Sequence, residues 1–258
     1  MSAENLQAAV LEYTLHHAMS NPHEWSVFGI KIPLPGFLSL HALMLLFCAG
    51  LLFLLFIKLY RKDGKAPHGI TNLLEVLVVF IRDQVAIPNL GAKDGRRFTP
   101  LLCSLFFFIL GMNLLGLIPL FATATSNINV TAALAIVVFI CMIGCAIMRH
   151  GPLGFIKSMI PHGVPWPVLI ILIPIEFVGL LVKPFALTIR LFANMLAGHI
   201  VILSLLGLAV TIGLAAALPA VLMASGVYLL EILVAFLQAF IFTLLSAMFI
   251  GSLLHPAH

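Results

Sequence analysis

The sequence predicts an all-α polytopic membrane protein with five membrane helices, the last two long, strongly tilted and forming a hairpin, plus one interfacial amphipathic helix. Three observations predict it. Of the 258 residues, 62% are hydrophobic and 9% charged, whereas a soluble domain carries about 45–50% apolar and about 25% charged residues. The apolar residues fall in runs long enough to cross a hydrocarbon core of about 30 Å. Most of the charges gather between those runs, and mean hydropathy is +1.20. A soluble globular enzyme is excluded. The pI near 9.0 then reflects orientation in a bilayer and gives no reason to expect nucleic acid.

Residues 1–36 read as a segment on the outer side, and residues 37–254 as a single membrane domain. The N-terminal segment carries Glu4, Glu12, Glu24, His16, His17 and His23, with no basic start and no compact apolar stretch, so it is not a secretory signal. Its histidines read as a solvated tail, not a metal site. The first span covers 37–60 and ends at Tyr60, Arg61 and Lys62, an interfacial anchor. Residues 70–90 behave differently. Asn72, Glu75, Val79, Arg82 and Ala86 form a stripe at helical spacing, with Leu74, Leu77, Ile81 and Val85 elsewhere, as in a helix lying in the interface.

Two uncharged spans follow, 100–120 and 129–148, joined by the polar loop Thr123–Asn129 into a hairpin. Lys58, Arg61, Lys62, Lys65, Lys93, Arg96, Arg97, Arg149 and Lys157 all fall on one side of these three spans. The positive-inside rule makes that side cytoplasmic and leaves the N-terminus outside. From Pro165 to Leu254 the chain is almost unbroken apolar sequence, with few polar turns. Two helices, 166–206 and 215–254, fit it better than three or four ordinary spans. At 1.5 Å per residue each is about twice the core thickness, hence the tilt. Cys48, Cys103, Cys141 and Cys145 sit in apolar runs without CxxC spacing and read as packing residues. No metal or cofactor is expected.

The charges inside this last region carry the function. Glu176, Lys183 and Arg190 are spaced by seven, a rotation of about 700°, so they share one helical stripe. Asn194 and Ala197 extend it, and Ala186 and Ala193 keep its surroundings small, which lets another helix approach Arg190 closely. Inserting Arg mid-helix costs about 2.5–3.5 kcal/mol on the mildest scale, so a bland role is disfavoured. On the last helix Glu231 and Gln238 are again seven apart, with Ala224, Tyr228, Ala235 and Phe242 on that face. In an antiparallel pair, Arg190 level with Gln238 and His199 level with Glu231 imply nearly the same bend, near Gly213. That register sets Glu176 level with Ser252. His199 lies on the face opposite Arg190, and a titratable pair at membrane depth suits a proton relay.

The run from Ile189 to His199, IRLFANMLAGH, resembles the signature of the a subunit of F-type ATP synthases. The stretch Glu231–Thr243 resembles that family's second signature, and Gly111–Pro119 matches its second span. The resemblance implies the stator half of a proton motor in the Fo sector, with two offset half-channels held against a ring of c subunits. It implies b subunits of the peripheral stalk as further partners, with protons as cargo and no cofactor. The chain would not be an enzyme on its own but a component of the proton-transporting ATP synthase. By similarity, Arg190 faces the ring carboxylates with Gln238 beside it. Asn194, His199, Glu231 and Gln238 line the outer access path, and Glu176 the cytoplasmic exit, helped by Ser252. Some bacterial members of the family carry the imidazole and the acid exchanged between the positions of His199 and Glu231. The lack of a presequence and the outside N-terminus point to a bacterial inner membrane with a cytoplasmic C-terminus.

Three other classes fit less well. A secondary transporter would show an internal repeat, and none appears. A purely structural anchor has no need of ionisable groups at membrane depth. An intramembrane hydrolase lacks a Ser/Lys, paired-Asp or HExxH constellation.

Overall fold

The computed structural model describes residues 24–27, 30–33, 40–59, 69–118, 123–158, 166–212 and 214–254. The expectations on His16, His17 and His23, on the basic loop of Arg61, Lys62 and Lys65, and on Pro119 and Gly213 lie outside the described residues.

A short antiparallel pair, β1 (Glu24–Val27) and β2 (Ile30–Pro33), precedes the helices, with Trp25 opposite Ile32 and Ser26 opposite Lys31. This hairpin is an addition to the helical fold that the sequence reading did not anticipate. Then come α1 (Leu40–Leu59), α2 (Ile70–Phe80) running through a π-helical turn (Ile81–Ala86) into α3 (Ile87–Gly116), and α4 (Ile128–Ser158). The last two are α5 (Trp166–Ile212) and α6 (Leu214–Leu254). Among the described residues, five helical runs are long and apolar enough to cross a membrane. The segment after Pro165 is therefore two helices, of 47 and 41 residues. Their lengths, about 70 Å and about 60 Å at 1.5 Å per residue, are twice what an upright span needs.

By length and composition α2 and α3 form one run, Ile70–Gly116. Gly91 divides it: at φ 80° and ψ 165° it leaves the helical region, a conformation glycine adopts without a Cβ penalty. Before that break the stripe is divided, with Val79 exposed and Ala86 fully buried, while the apolar Ile70, Leu73 and Val76 are exposed. Asn72, Glu75 and Arg82 are exposed, and Ile81 and Val85 are fully buried.

The described residues form two compact units, interleaved along the chain in a way the apolar pattern does not announce. The first comprises Met1–Phe56, Phe108–Thr131 and Arg190–Ala239. Its interior holds Met44, Cys48, Ile109, Met112, Leu191, Met195 and Ala235. The Cys48 thiol lies against the Phe108 carbonyl, a packing role of the expected kind. The second comprises Ile57–Phe107, Ala132–Ile189 and Phe240–His258. Its interior holds Ile81, Val85, Phe106, Met142, Leu187, Phe242 and Ile250, with Phe80 and Phe240 rings 5.6 Å apart. In lipid such packing gains van der Waals contact more than hydrophobic burial. Pro174 and Pro184 lie within α5 and Pro219 within α6, tolerated where neighbours meet the freed backbone groups.

Candidate functional site

Helix α5 has two faces. Leu180, Leu187, Leu191 and Met195 are buried, while Ala186, Arg190, Ala193, Asn194 and Ala197 are exposed. Among the described residues nothing bonds or pairs with the Arg190 guanidinium. It is exposed on a strip that also holds Ala186, Ala193 and Ala197, with the exposed Ile189 next to it in the chain.

In the first unit, one turn along from Arg190, Asn194 Nδ2 donates to Gln238 Oε1 at 2.8 Å. Gln238 is therefore tied to Asn194 and not directly to the arginine. His199 faces the interior, as nine residues from Arg190 require. Its Nδ1 lies 2.9 Å from the Met195 carbonyl and 3.1 Å from Glu231 Oε1. Its Nε2 lies 3.1 Å from the Gly116 carbonyl and 2.7 Å from Thr123 Oγ1. Both ring nitrogens thus face carbonyl oxygens, which only accept, and a neutral imidazole has one N–H to give.

Glu231 is 3% exposed, deep for a carboxylate, and its approach to His199 is close without hydrogen-bond alignment. A glycine makes the approach possible. A Cβ on Gly198 would meet Glu231 Cδ at 2.7 Å and its Oε1 closer still, so the carboxyl lies directly on the backbone of α5. Gly116 serves Thr123 in the same way, since a Cβ there would meet Thr123 Cγ2 at 2.7 Å. Both Glu231 oxygens, Gln238 Nε2 and Asn113 Oδ1 are buried without a hydrogen-bond partner among the described residues. Asn113 Nδ2 donates to the Ala235 carbonyl, and the Tyr228 hydroxyl donates to Leu117 O. Buried polar atoms left in this way cost about 1–3 kcal/mol each unless water reaches them.

The second unit holds the other candidates. Lys183 Nζ sits 5.5 Å from the centre of the Phe249 ring, a cation–π contact between α5 and α6. Glu176 is exposed, and no described residue bonds to it. Ser252 donates to Phe249 O on its own helix. The register explains why it does not meet Glu176. Asn194–Gln238, His199–Glu231 and Lys183–Phe249 have index sums of 432, 430 and 432, so Ser252 comes level with residues 178–180. The expected levels of Gln238 with Arg190 and of Ser252 with Glu176 are therefore each displaced by up to one turn.

Thr123, Gly116, Gly198 and Asn113 are the neighbours that the sequence reading did not single out. Each lies in a stretch that the sequence marks: Gly198 in Ile189–His199, Asn113 and Gly116 in Gly111–Pro119, and Thr123 in the polar loop.

The ATP synthase A chain family matches residues 42–251, which include every one of these side chains except Ser252. This chain belongs to that family. A relative from Chloroherpeton thalassium, named ATP synthase subunit a, is 49% identical over 95% of this chain and 77% of its own length. Those from Anaeromyxobacter sp. (strain Fw109-5) and Myxococcus xanthus carry the same name. Each is 47% identical, over 84% and 76% of this chain respectively. The chain spans 55% of the Anaeromyxobacter relative and 65% of the Myxococcus one. Family membership and five long apolar helices together make it a multi-pass membrane protein.

Proposed function

We propose that this chain is the proton-conducting stator subunit of an ATP synthase Fo motor. It presents Arg190 to a ring of c subunits and feeds protons to the ring carboxylates through two offset half-channels. The observation that carries the reading is the division of labour on α5. A permanent cation stands exposed beside alanines, while a half-buried imidazole against a buried carboxylate lies on the opposite face. An unpaired Arg facing lipid costs several kcal/mol, so the strip calls for a carboxylate-bearing helix against it.

The mechanism follows from charge. A ring carboxylate beside Arg190 is favoured ionised, because the opposite charge stabilises that form. One facing lipid must be protonated. Each carboxylate passing Arg190 therefore loses a proton to one side and regains one from the other, and ring rotation is coupled to proton flow and to ATP synthesis. Arginine does not deprotonate in proteins, so it also blocks a direct leak between the two paths.

In this reading Asn194, His199, Glu231 and Gln238 line the outer path, hydrated where their buried polar atoms have no protein partner. Glu176 lines the cytoplasmic exit, with Lys183 and Ser252 as lesser members. The N-terminal segment, 1–36, lies outside a bacterial inner membrane and the C-terminus in the cytoplasm. Residues 37–254 form the membrane domain, and b subunits tie the stator to the peripheral stalk. The chain catalyses nothing alone.

Purification from the native membrane tests the reading. The chain is expected to copurify with a small two-helix proteolipid bearing one mid-membrane carboxylate. A chain that purifies alone and transports a solute would overturn it.

A further inference from the structure

The Nε2 side of His199 meets the Gly116 carbonyl and the Thr123 hydroxyl, and only one of these is able to change its role. A carbonyl accepts and nothing else. The Thr123 hydroxyl donates to Gly116 O at 3.1 Å while its oxygen lies 2.7 Å from Nε2. In that pose it accepts from an Nε2–H. Rotated about its C–O bond, the same hydroxyl donates to a bare Nε2. Thr123 is 8% exposed, so bulk water does not substitute for it freely. Its seat depends on Gly116, where any side chain would collide with it. The groups facing His199 are Glu231 from α6, the Met195 carbonyl from α5, the Gly116 carbonyl from α3, and Thr123. Glu231 is the titratable one among them.

We propose that Thr123 is a positioning residue for the outer proton path, its hydroxyl a swivelling partner that keeps Nε2 of His199 paired in both protonation states of the ring. The inference rests on the proton-path reading of His199 and Glu231. Without the hydroxyl, a neutral ring with its proton on Nδ1 leaves Nε2 facing a carbonyl, lone pair against lone pair. Each proton passage through the ring then meets an unpaired state that the native site avoids. Thr123 touches no ring carboxylate and acts through His199.

The test uses the assembled complex in inverted vesicles, reading ATP-driven acidification per assembled complex across a pH series. Thr123→Val, which keeps the shape and removes the hydroxyl, is expected to slow acidification roughly threefold to tenfold. It should also displace the pH profile by roughly half a unit or more. Thr123→Ala reports the same loss without the branched side chain. Thr123→Ser restores both rate and profile. The proposal is overturned if valine and alanine leave rate and profile unchanged, or if serine loses as much as valine. It is also overturned if both hydroxyl-free variants fail to assemble, since the residue is then structural. Arg190→Ala run alongside separates the two readings. Pumping by that variant defeats the motor assignment, whereas a silent Arg190→Ala beside a normal Thr123→Val defeats only the role of Thr123.

Discussion

The polar groups of the two units are held in opposite ways. Around His199 the contacts converge: two carbonyls, a hydroxyl and a carboxylate meet one half-buried ring, and Gly198 and Gly116 give the carboxylate and hydroxyl room to do so. Around Glu176, Lys183 and Ser252 the groups are scattered. One carboxylate is open, one ammonium rests on an aromatic face, and one hydroxyl is turned back onto its own helix. A buried pair works only if geometry holds it, because an unmet polar atom there is costly. An open group borrows its partners from solvent and tolerates change. The outer side of the proposed path should therefore be brittle, and the inner side forgiving.

Substitutions graded by expected effect test this contrast. Glu231→Ala removes the buried carboxylate and should lower ATP-driven acidification by about 100-fold or more, the scale on which a positioned proton donor or acceptor acts. A near-normal rate would make the cluster around His199 a packing feature. Gly198→Ala leaves both titratable groups in place and only pushes the Glu231 carboxyl off its seat. We expect a loss of roughly tenfold, between the effect of moving a hydrogen-bonded charge and that of deleting it. If alanine is tolerated, the close approach does not matter to conduction. Ser252→Ala loses a bond within α6 and should stay within about 0.5 kcal/mol of the parent in assembly, with a loss of rate of about twofold or less. A large loss there would show the second unit to be as constrained as the first.

Much of the fold and part of the site were legible in the sequence, for different physical reasons. Heptad spacing on one helix is set by backbone geometry alone, so the stripe of Glu176, Lys183 and Arg190 and the opposite placement of His199 could be read directly. The scarcity of polar turns after Pro165 separated two long helices from several short ones. Register between helices was legible only to about a turn, since residues three or four apart share a face. That is why Gln238 fell to Arg190 on paper and bonds to Asn194 in the molecule.

Backbone partners leave no mark in composition, so the carbonyls of Met195 and Gly116 were invisible. Thr123 was one polar residue in a loop of several, and what selects it is its seat on a glycine seven residues earlier. The β1–β2 pair carries only a weak signal in the sequence, two short runs separated by two residues including Gly29.

Arg190 is where the two paths would have to stay apart, and its variant addresses the account most directly. Inverted vesicles carrying fully assembled complexes with Arg190→Ala should show ATP hydrolysis but no ATP-driven acidification, and Arg190→Lys should retain little. Acidification at the parental rate by the alanine variant, at equal assembly, would contradict the claim that this guanidinium couples proton flow to the ring.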